Sequence, residues 1–338
     1  MLSLLRFAIP LSALALHALI SFCFIFRPDK AAAITVFPLT VWVLAGILLC
    51  LLSGLLFKGR FALVVGLIWV VTGVLVADER HGLARLFHEK PEPGPAAPFE
   101  GKPVLRCLTL NCKGRSALSS QEILAWKPDI VFLQEQPAPQ ELSRLVRELF
   151  GGEGDFRTTA YCAILSRGRI FQEKRSASQR HLQVKTRFLD GREYHLVALH
   201  LLPAVTEVNL FSLDTWRAHY RNRLVRSEQV RTLARERLEF SGGLPCLLGG
   251  DFNAPAGDRA MDALNPHFQD AYPLAGTGWP NTFSNQLPLH RIDQLWLTPE
   301  LRPVRQRTVR TQESDHRMVV LDFLDPREQP QAEPPTAF

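Results

Sequence analysis

Polar side chains that could do hydrolytic chemistry stand beside short apolar runs through the last two-thirds of the chain. They are Asn111, Glu135, His200, Asp251, Asn253, Asp293, Asp315 and His316. Carboxylate, amide and imidazole groups of this kind hold divalent cations and move protons. Burying so many of them without partners would cost several kcal/mol each, and a bound cation would relieve that cost. Oxygen ligands without thiolates favour Mg²⁺ or Mn²⁺ over zinc.

The apolar runs beside these residues have the length and composition of buried strands. The polar residue follows the run at 104–110, 130–133, 196–199 and 246–250, and stands at its beginning at 292–297 and 318–323. If all the polar groups meet at one rim, four strands arrive there and two leave, so the sheets are mixed or antiparallel. Helical patterns at 119–126, 140–150 and 216–240 lie between the runs. We therefore predict two packed sheets with helices outside and a site at one end of the strands.

Three apolar runs at 10–26, 36–57 and 61–77 predict about three transmembrane helices, since a helix needs roughly 17–25 residues to cross a bilayer. A signal peptide is the alternative for the first run, but no clear cleavage site precedes Arg27 and two further runs follow. We predict a membrane anchor at 1–80, a Pro-rich linker at 81–101, a catalytic domain at 102–325 and a disordered tail at 326–338.

The location of the protein follows from the same runs. We predict an integral protein of the cell (inner) membrane. The short turn Lys58-Gly59-Arg60 favours a cytoplasmic loop between the second and third spans, which places the catalytic domain outside the cytoplasm.

Composition narrows the function only slightly. The formal net charge is +6, which suits a phosphate-bearing substrate, anionic lipid or nucleic acid and does not choose among them. None of the six cysteines has a zinc-type spacing, so buried apolar positions are the favoured interpretation. The arginine-rich stretch 216–240 is read as the solvated outer face of a helix rather than a nucleic-acid groove.

Six motifs in a fixed order resemble the endonuclease/exonuclease/phosphatase superfamily, and specifically a membrane-anchored bacterial type. They are Leu-Thr-Leu-Asn111, Pro-Asp-Ile-Val-Phe-Leu-Gln-Glu135, Leu-His200-Leu, Gly-Gly-Asp251-Phe-Asn253, Arg-Ile-Asp293 and Ser-Asp315-His316. The resemblance covers 104–323 and none of the apolar N-terminal part. It implies an α/β fold, a four-layer α/β/β/α sandwich, and metal-assisted in-line attack of water on a phosphoester. The N-terminal transmembrane helices expected from the apolar runs would precede this catalytic domain.

The resemblance also implies metal ligands. Glu135 would be the main carboxylate on Mg²⁺ or Mn²⁺, with Asn111 beside it and Asp315 as a further contributor. Asp293 would orient His316.

The remaining implied roles concern water and phosphate. Asp251 would position or deprotonate the attacking water, while Asn253 and His200 would bind the scissile phosphate. His316 would act as general base or stabilise the phosphate, so the base is either Asp251 or His316. Two weaker correspondences make Tyr161 and Thr282 substrate-binding candidates, and Gln294 stands where an aromatic residue commonly follows the aspartate.

For substrate we predict a phosphodiesterase or phosphatase acting on a lipid-linked or membrane-proximal phosphate, because a tether raises the effective concentration of a lipid headgroup. A membrane-anchored nuclease that cleaves DNA or RNA is the alternative, and a non-catalytic binding module is the remote one. No obligate protein partner is inferred. The stretch 203–220 is expected to form a loop over the site that affects specificity.

Overall fold

The computed structural model describes residues 2–57, 59–205 and 209–327. Residues 328–338, which hold most of the predicted disordered tail, lie outside the described part, as does Lys58 of the predicted cytoplasmic turn. The chain forms two compact units. The first comprises Met1–Arg80, Ala204–Val225 and Gly257–Arg259, and the second His81–Pro203, Arg226–Ala256 and Ala260–Phe338.

The first unit contains the apolar helices. They are α1 (Leu2–Phe26), α2 (Ala32–Thr35), α3 (Leu39–Phe57) and α4 (Arg60–Val76). Two segments are long and apolar enough to cross a membrane, Arg6–Phe26 and Leu39–Phe57, whereas α4 is a shorter apolar helix of 17 residues. Length and composition alone make these candidate spans.

Small residues let these helices approach closely. A Cβ atom on Gly46 of α3 would lie 2.1 Å from the ring of Trp69 on α4, so only glycine admits this indole. Trp69 is fully buried, and its indole nitrogen donates to the carbonyl of Ala13 on α1 at 3.3 Å. The three longer helices therefore share one packed apolar interior.

The second unit is built on two β-sheets and shorter helices. Its strands are β1 (Leu105–Asn111), β2 (Ile130–Gln134), β3 (Asp155–Thr158), β4 (Cys162–Ser166), β5 (Arg169–Arg175), β6 (His181–Arg187), β7 (Glu193–His200), β8 (Cys246–Asp251), β9 (Gln269–Asp270), β10 (Gly276–Thr277), β11 (Asp293–Leu297), β12 (Arg302–Val309) and β13 (Met318–Leu324). The remaining helices of the described chain are α5 (Arg80–Ala84), α6 (Ala117–Gln121), α7 (Pro139–Phe150), α8 (Leu213–Ser241) and α9 (Ala271–Ala275).

The strand order explains where the polar residues meet. One sheet has the order β10-β12-β13-β1-β2-β4-β3 and the other β5-β6-β7-β8-β11-β9. β1 and β2 are parallel, as are β7 and β8, whereas β13 runs antiparallel to β1 and β11 antiparallel to β8. Four strands thus end and two begin on the side that carries the polar residues, which confirms the predicted mixed α/β architecture with two sheets.

The core lies between the two sheets and continues under the outer helices. Phe132 and Leu321 of one sheet share a buried cluster with Leu196 and Leu295 of the other. A second cluster packs α7 against the outer face of the seven-stranded sheet, and a third packs the later part of α8 against the six-stranded sheet. The layers are therefore helix, sheet, sheet and helix.

A buried charge network joins three neighbouring strands of the seven-stranded sheet. The carboxylate of Asp322 on β13 accepts hydrogen bonds from Arg106 on β1, at 2.6 and 3.1 Å, and from Arg305 on β12, at 3.2 Å. Arg106 also donates to the carbonyls of Glu92 and Gly94, both at 2.8 Å. The Pro-rich stretch that the sequence predicts as a linker is thus hydrogen-bonded to the second unit.

Candidate active site

The ends of β1 and β2 supply an amide and a carboxylate. Asn111 is the last residue of β1, and its Nδ2 donates to Glu135 Oε1 at 3.4 Å and to Asp251 Oδ2 at 3.1 Å. Glu135 follows β2 with a φ of 47°, an uncommon conformation for a residue with a side chain, and thereby leaves the strand direction. Its Oε2 accepts a hydrogen bond from the main-chain nitrogen of Gly114 at 2.6 Å. Asn111 therefore links carboxylates from both sheets.

The ends of β7 and β8 place an imidazole beside a carboxylate. His200 pairs in register with Asp251, and its Nε2 lies 3.6 Å from Asp251 Oδ2. This close pairing depends on Gly250, where a Cβ atom would lie 2.0 Å from the carbonyl oxygen of Leu199. Glycine at position 250 therefore allows the main chains of β7 and β8 to approach closely beside the site.

Both the main-chain nitrogen and the side-chain amide of Asn253 donate hydrogen bonds. Its main-chain nitrogen donates to Asp251 Oδ1 at 2.9 Å, and its Nδ2 donates to the carbonyl of Leu201 at 3.2 Å. Strand β8 stops at Asp251, and Asn253 has a φ of 50°, so the turn rather than the strand sets the direction of this side chain.

The starts of β11 and β13 form a carboxylate–histidine pair. His316 Nδ1 lies 2.8 Å from Asp293 Oδ2, and the pair is almost completely buried. Thr282 supports it from behind, since its Oγ1 accepts from the main-chain nitrogen of Asp293 at 3.1 Å. Thr282 is fully buried, and its hydroxyl group contacts the main chain at the start of β11.

Neighbouring charges shift the pKa values of Asp251 and His316. Burial raises the pKa of Asp251, and the nearby carboxylate of Asp293 raises it further. Burial lowers the pKa of His316, but the hydrogen-bonded carboxylate of Asp293 outweighs burial and raises it to about 10. His316 is therefore an imidazolium at neutral pH in the protein alone, held between two aspartates.

A divalent cation fits this arrangement. Asp251, Asp293 and His316 each offer one ligand atom, and these atoms lie within 4.8 Å of one another. Asp293 Oδ1 is buried and has no hydrogen-bond partner among the residues that the structure describes, which is costly unless a cation or substrate satisfies it. Asn111 donates hydrogen bonds to both Glu135 and Asp251, and so connects Glu135 to these three residues. Hard oxygen donors dominate the set, as Mg²⁺ and Mn²⁺ prefer.

Two of the sequence candidates make no side-chain hydrogen bond to this group among the described residues. Asp315 is half-buried, and among the described residues its only hydrogen bond is through its carbonyl, which accepts from Asn285 at 2.6 Å. Tyr161 is 38 % exposed, and its ring centroid lies 6.3 Å from that of His200 in an edge-on arrangement. Tyr161 therefore borders the site, while the carboxylate of Asp315 takes no part in its hydrogen bonds.

Three residues that sequence reasoning did not assign to the site support it. Arg180 lies over the ring of Tyr161, 4.5 Å from its centroid, and donates to the carbonyls of His200 and Leu201 at 3.3 Å. Ser314 joins β1 to the His316 turn, because its hydroxyl donates to the carbonyl of Asn111 at 2.7 Å. Only Ser314 had a sequence signal, its place in Ser-Asp-His.

The third supporting residue is Gln294, which the sequence marks only as a departure. Its Nε2 donates to the carbonyls of Ala254 at 2.8 Å and Arg291 at 3.1 Å. The amide thus ties the turn after Asn253 to the start of β11, which an aromatic residue could not do through hydrogen bonds.

The sequence model of the Endonuclease/Exonuclease/phosphatase family matches residues 108–316. The chain belongs to this family. Members are phosphoester hydrolases, and the resemblance inferred from the six motifs is confirmed. A comparison with curated proteins returns no sequence match.

Solved structures share the fold of the family domain. An endonuclease/exonuclease/phosphatase from Bacteroides vulgatus is 18% identical, with a TM-score of 0.53 over 66% of this chain and 99% of that one. The mannosyl-6-phosphatase of Bacteroides thetaiotaomicron is 17% identical, with a TM-score of 0.52 over 65% and 99%. A humanized TDP2 of D. rerio is 17% identical, with a TM-score of 0.50 over 65% and 99%. Identities this low establish the fold alone.

Proposed function

We propose that this protein is a membrane-tethered, divalent-metal-dependent hydrolase of a lipid-linked or membrane-proximal phosphoester. One observation carries the hydrolase part. Asp251, Asp293 and His316 come together from strands of both sheets, and Asn111 joins them to Glu135. Two close buried carboxylates with an unsatisfied oxygen are costly in an apoprotein and useful around a cation and a phosphate.

The metal would be held by Glu135 and Asn111, with Asp251 and Asp293 within reach of the same volume and Asp315 as an outer contributor. When bound, Mg²⁺ or Mn²⁺ would supply Lewis-acid stabilisation of charge on the phosphate oxygens. Side chains of the protein itself would position the attacking water and the phosphate.

The pKa directions divide the roles of Asp251 and His316. A protonated His316, aligned by Asp293, donates a hydrogen bond to a phosphate oxygen and cannot take a proton from water. The raised pKa of Asp251 makes this carboxylate a better proton acceptor, so Asp251 is the proposed base for the attacking water. His200 and Asn253, both bonded to or beside Asp251, would hold the scissile phosphate from the other side.

The tether supports the choice of substrate. Two apolar helices in the first unit have the length of membrane spans, and α4 adds a shorter one. We propose an anchor at 1–80 and a catalytic domain at 102–325 that faces away from the cytoplasm at the inner membrane. Confinement near a bilayer raises the effective concentration of a lipid phosphate over that of a soluble nucleic acid.

The test is a metal-dependent activity screen of the full-length protein in detergent or lipid. Lipid phosphates, lipid phosphodiesters, sugar phosphates, and DNA and RNA would be incubated with Mg²⁺, Mn²⁺ or chelator. We expect lipid phosphoester hydrolysis that needs the metal and that Glu135→Ala abolishes. Exposed Glu153→Ala is the matched control and should keep full activity.

Two outcomes would change the proposal. Cleavage of DNA or RNA without lipid hydrolysis would replace it by a membrane-anchored nuclease. Absence of hydrolysis of every substrate, with a cellular phenotype that survives both Glu135→Ala and His316→Ala, would favour a binding module. A reporter fused after Phe338 reads the side of the membrane, and a cytoplasmic signal would overturn the orientation.

A further inference from the structure

The segment 209–225 carries an apolar tip that is exposed among the described residues of its unit. Phe211 is fully exposed and Leu213 is 72% exposed, in a unit that otherwise consists of the apolar helices and a three-residue loop. Large apolar side chains so completely exposed at a turn are unfavourable in water, and two of them together indicate a surface that contacts something apolar.

The same segment is anchored to the apolar helices. Trp216, one turn into α8, packs against the buried cluster of α1, α3 and α4, and its indole nitrogen donates to the carbonyl of Leu210 at 2.8 Å. That hydrogen bond fixes the turn that presents Phe211. Tryptophan with one apolar and one hydrogen-bonded edge is the side chain most enriched where a membrane helix meets water.

A buried ion pair holds the helix in place beneath this tip. Arg223 and Asp258 are nearly inaccessible, with Nη2 and Oδ2 2.9 Å apart. Arg223 also donates to Thr35 Oγ1 of α2 and to the carbonyl of Pro28. Segment 209–225 is therefore a fixed part of the helical unit, and Phe211 is presented on a defined frame.

Charge on the exposed face points to the kind of partner. Arg217 and Arg221 follow Leu213 at intervals of four residues, so the three side chains lie on one face of α8. Both arginines are exposed, and Arg217 forms an ion pair with the highly exposed Asp214, at 3.0 Å. An apolar tip backed by basic residues is the pattern of helices that lie in the headgroup region of anionic bilayers.

We propose that Phe211 and Leu213 insert into the headgroup–acyl boundary of an anionic bilayer, with Arg217 and Arg221 on its phosphates. The inference rests on the membrane anchor of the proposed function and adds a specific lipid-contact surface. This surface begins eleven residues after the proposed phosphate ligand His200 in the sequence. Continuity with the apolar helices makes lipid the occupant rather than a second protein.

Fluorescence from a label on one introduced cysteine of the full-length protein tests this surface. All six native cysteines are buried, so a water-soluble thiol reagent should label Phe211→Cys and leave the wild type nearly unlabelled. The bimane-labelled protein would be reconstituted in vesicles of phosphatidylcholine and phosphatidylglycerol that carry a nitroxide-labelled lipid. Leu238→Cys is the matched control, because Leu238 is an exposed apolar residue of the same helix.

The expected result is blue-shifted emission at position 211 and quenching by the nitroxide lipid several-fold above that at position 238. Leu213→Cys should behave as Phe211→Cys does. Water-like emission at both positions, quenched no more than at 238, would overturn the proposal. So would blue-shifted emission without lipid quenching, because that result means that protein covers the tip.

The arginines give the test a charge arm. Arg217→Gln with Arg221→Gln, placed in the labelled Phe211→Cys protein, should remove the preference for anionic over neutral vesicles. Each arginine is expected to raise the equilibrium constant for contact of the tip with the anionic bilayer about fivefold. An unchanged preference would overturn the assigned role of the arginines. None of these readouts involves catalysis, so failure of the proposed hydrolase activity and failure of this lipid contact are separately visible.

Discussion

Two buried clusters of charge in the second unit are built in opposite ways. Asp322 lies between two arginines, and both of its carboxylate oxygens accept hydrogen bonds from them. The other cluster, Asp251 with Asp293 and His316, contains two carboxylates for one imidazole, and no group in the described part of the chain hydrogen-bonds to Asp293 Oδ1. Both are nearly inaccessible to water. Burial alone therefore does not separate a structural cluster from a functional one.

The difference lies in what each cluster leaves unsatisfied. Around Asp322 every charge has a hydrogen-bonded opposite, so the network can serve the fold without a ligand. At the site, like charges sit in register across β8 and β11, and the pKa of Asp251 is raised as a result. A cation and a phosphate would complete this second cluster, whereas the first is already complete.

The largest expected effect is on catalysis. Asp251→Asn should lower phosphoesterase activity about a thousandfold, because an amide cannot accept the proton of the attacking water. The same change removes one of two mutually repelling carboxylates, so the melting temperature should stay the same or rise. Steady-state kinetics and thermal unfolding check both. A melting temperature that falls together with activity would mean that Asp251 is structural.

The structural cluster should respond in the reverse sense. Asp322→Asn leaves two buried guanidinium groups around a neutral amide, and we expect a loss of about 3–5 kcal/mol in the free energy of unfolding. Activity per folded molecule should not change. Denaturant titration is the measurement, and Glu148→Gln, in the exposed pair with Arg144, is the control that should have no measurable effect. Equal effects of the two variants would contradict the comparison.

Metal should distinguish the clusters directly. Mg²⁺ at about a hundred times its dissociation constant should stabilise the wild type by about 2.7 kcal/mol, and chelator should abolish activity. The thermal shift should disappear in Glu135→Ala, which removes the main carboxylate proposed for the cation, and persist in Asp322→Asn. A shift of equal size in both variants would place the cation elsewhere.

The smallest effect concerns a third buried group, His195. Burial lowers the pKa of His195 to about 3, and its Nδ1 has no hydrogen-bond partner within the ranges that the structure describes. The unfolded chain takes up a proton near pH 6.5 that the folded one excludes. Stability should therefore be fully present above pH 6.5 and fall by about 1.4 kcal/mol per pH unit below it.

The variant His195→Gln should remove that part of the acid dependence while leaving activity at pH 7 unchanged. Thermal unfolding at pH 7, 6 and 5 is the measurement. An unaltered pH slope would show that His195 is already protonated in the folded protein. The expected result would show that one buried atom without a hydrogen-bond partner does not by itself identify a functional site.

Much of the site was predictable because each of its residues lies at the end of an apolar run. The position of Asn111 after one strand and of Asp293 before another was enough to predict strand directions, which the pairing confirms. Family motifs added the roles, which stay predictions. The approach of Asp251 to Asp293 in register could not be read from sequence, since register depends on packing between strands.

Contacts between distant residues account for what the sequence did not predict. Arg106 and Asp322 are 216 residues apart, and each looks like an ordinary charged residue in a strand. The carboxylate of Asp315 was grouped with the metal ligands through its motif, yet the hydrogen bonds of that turn come from its neighbours Ser314 and His316. Arg180 acts on His200 through main-chain carbonyls, which leave no sequence pattern.

The place of β13 in its sheet has a consequence for the timing of activity in the cell. β13 is the final strand of the described chain, yet it lies between β12 and β1 in the middle of the seven-stranded sheet. While the ribosome is still making the protein, β1 has no β13 to pair with, and His316 has not joined Asp293. We expect a nascent chain to lack activity until β13 has been made and inserted between β12 and β1, because the site does not exist before that step.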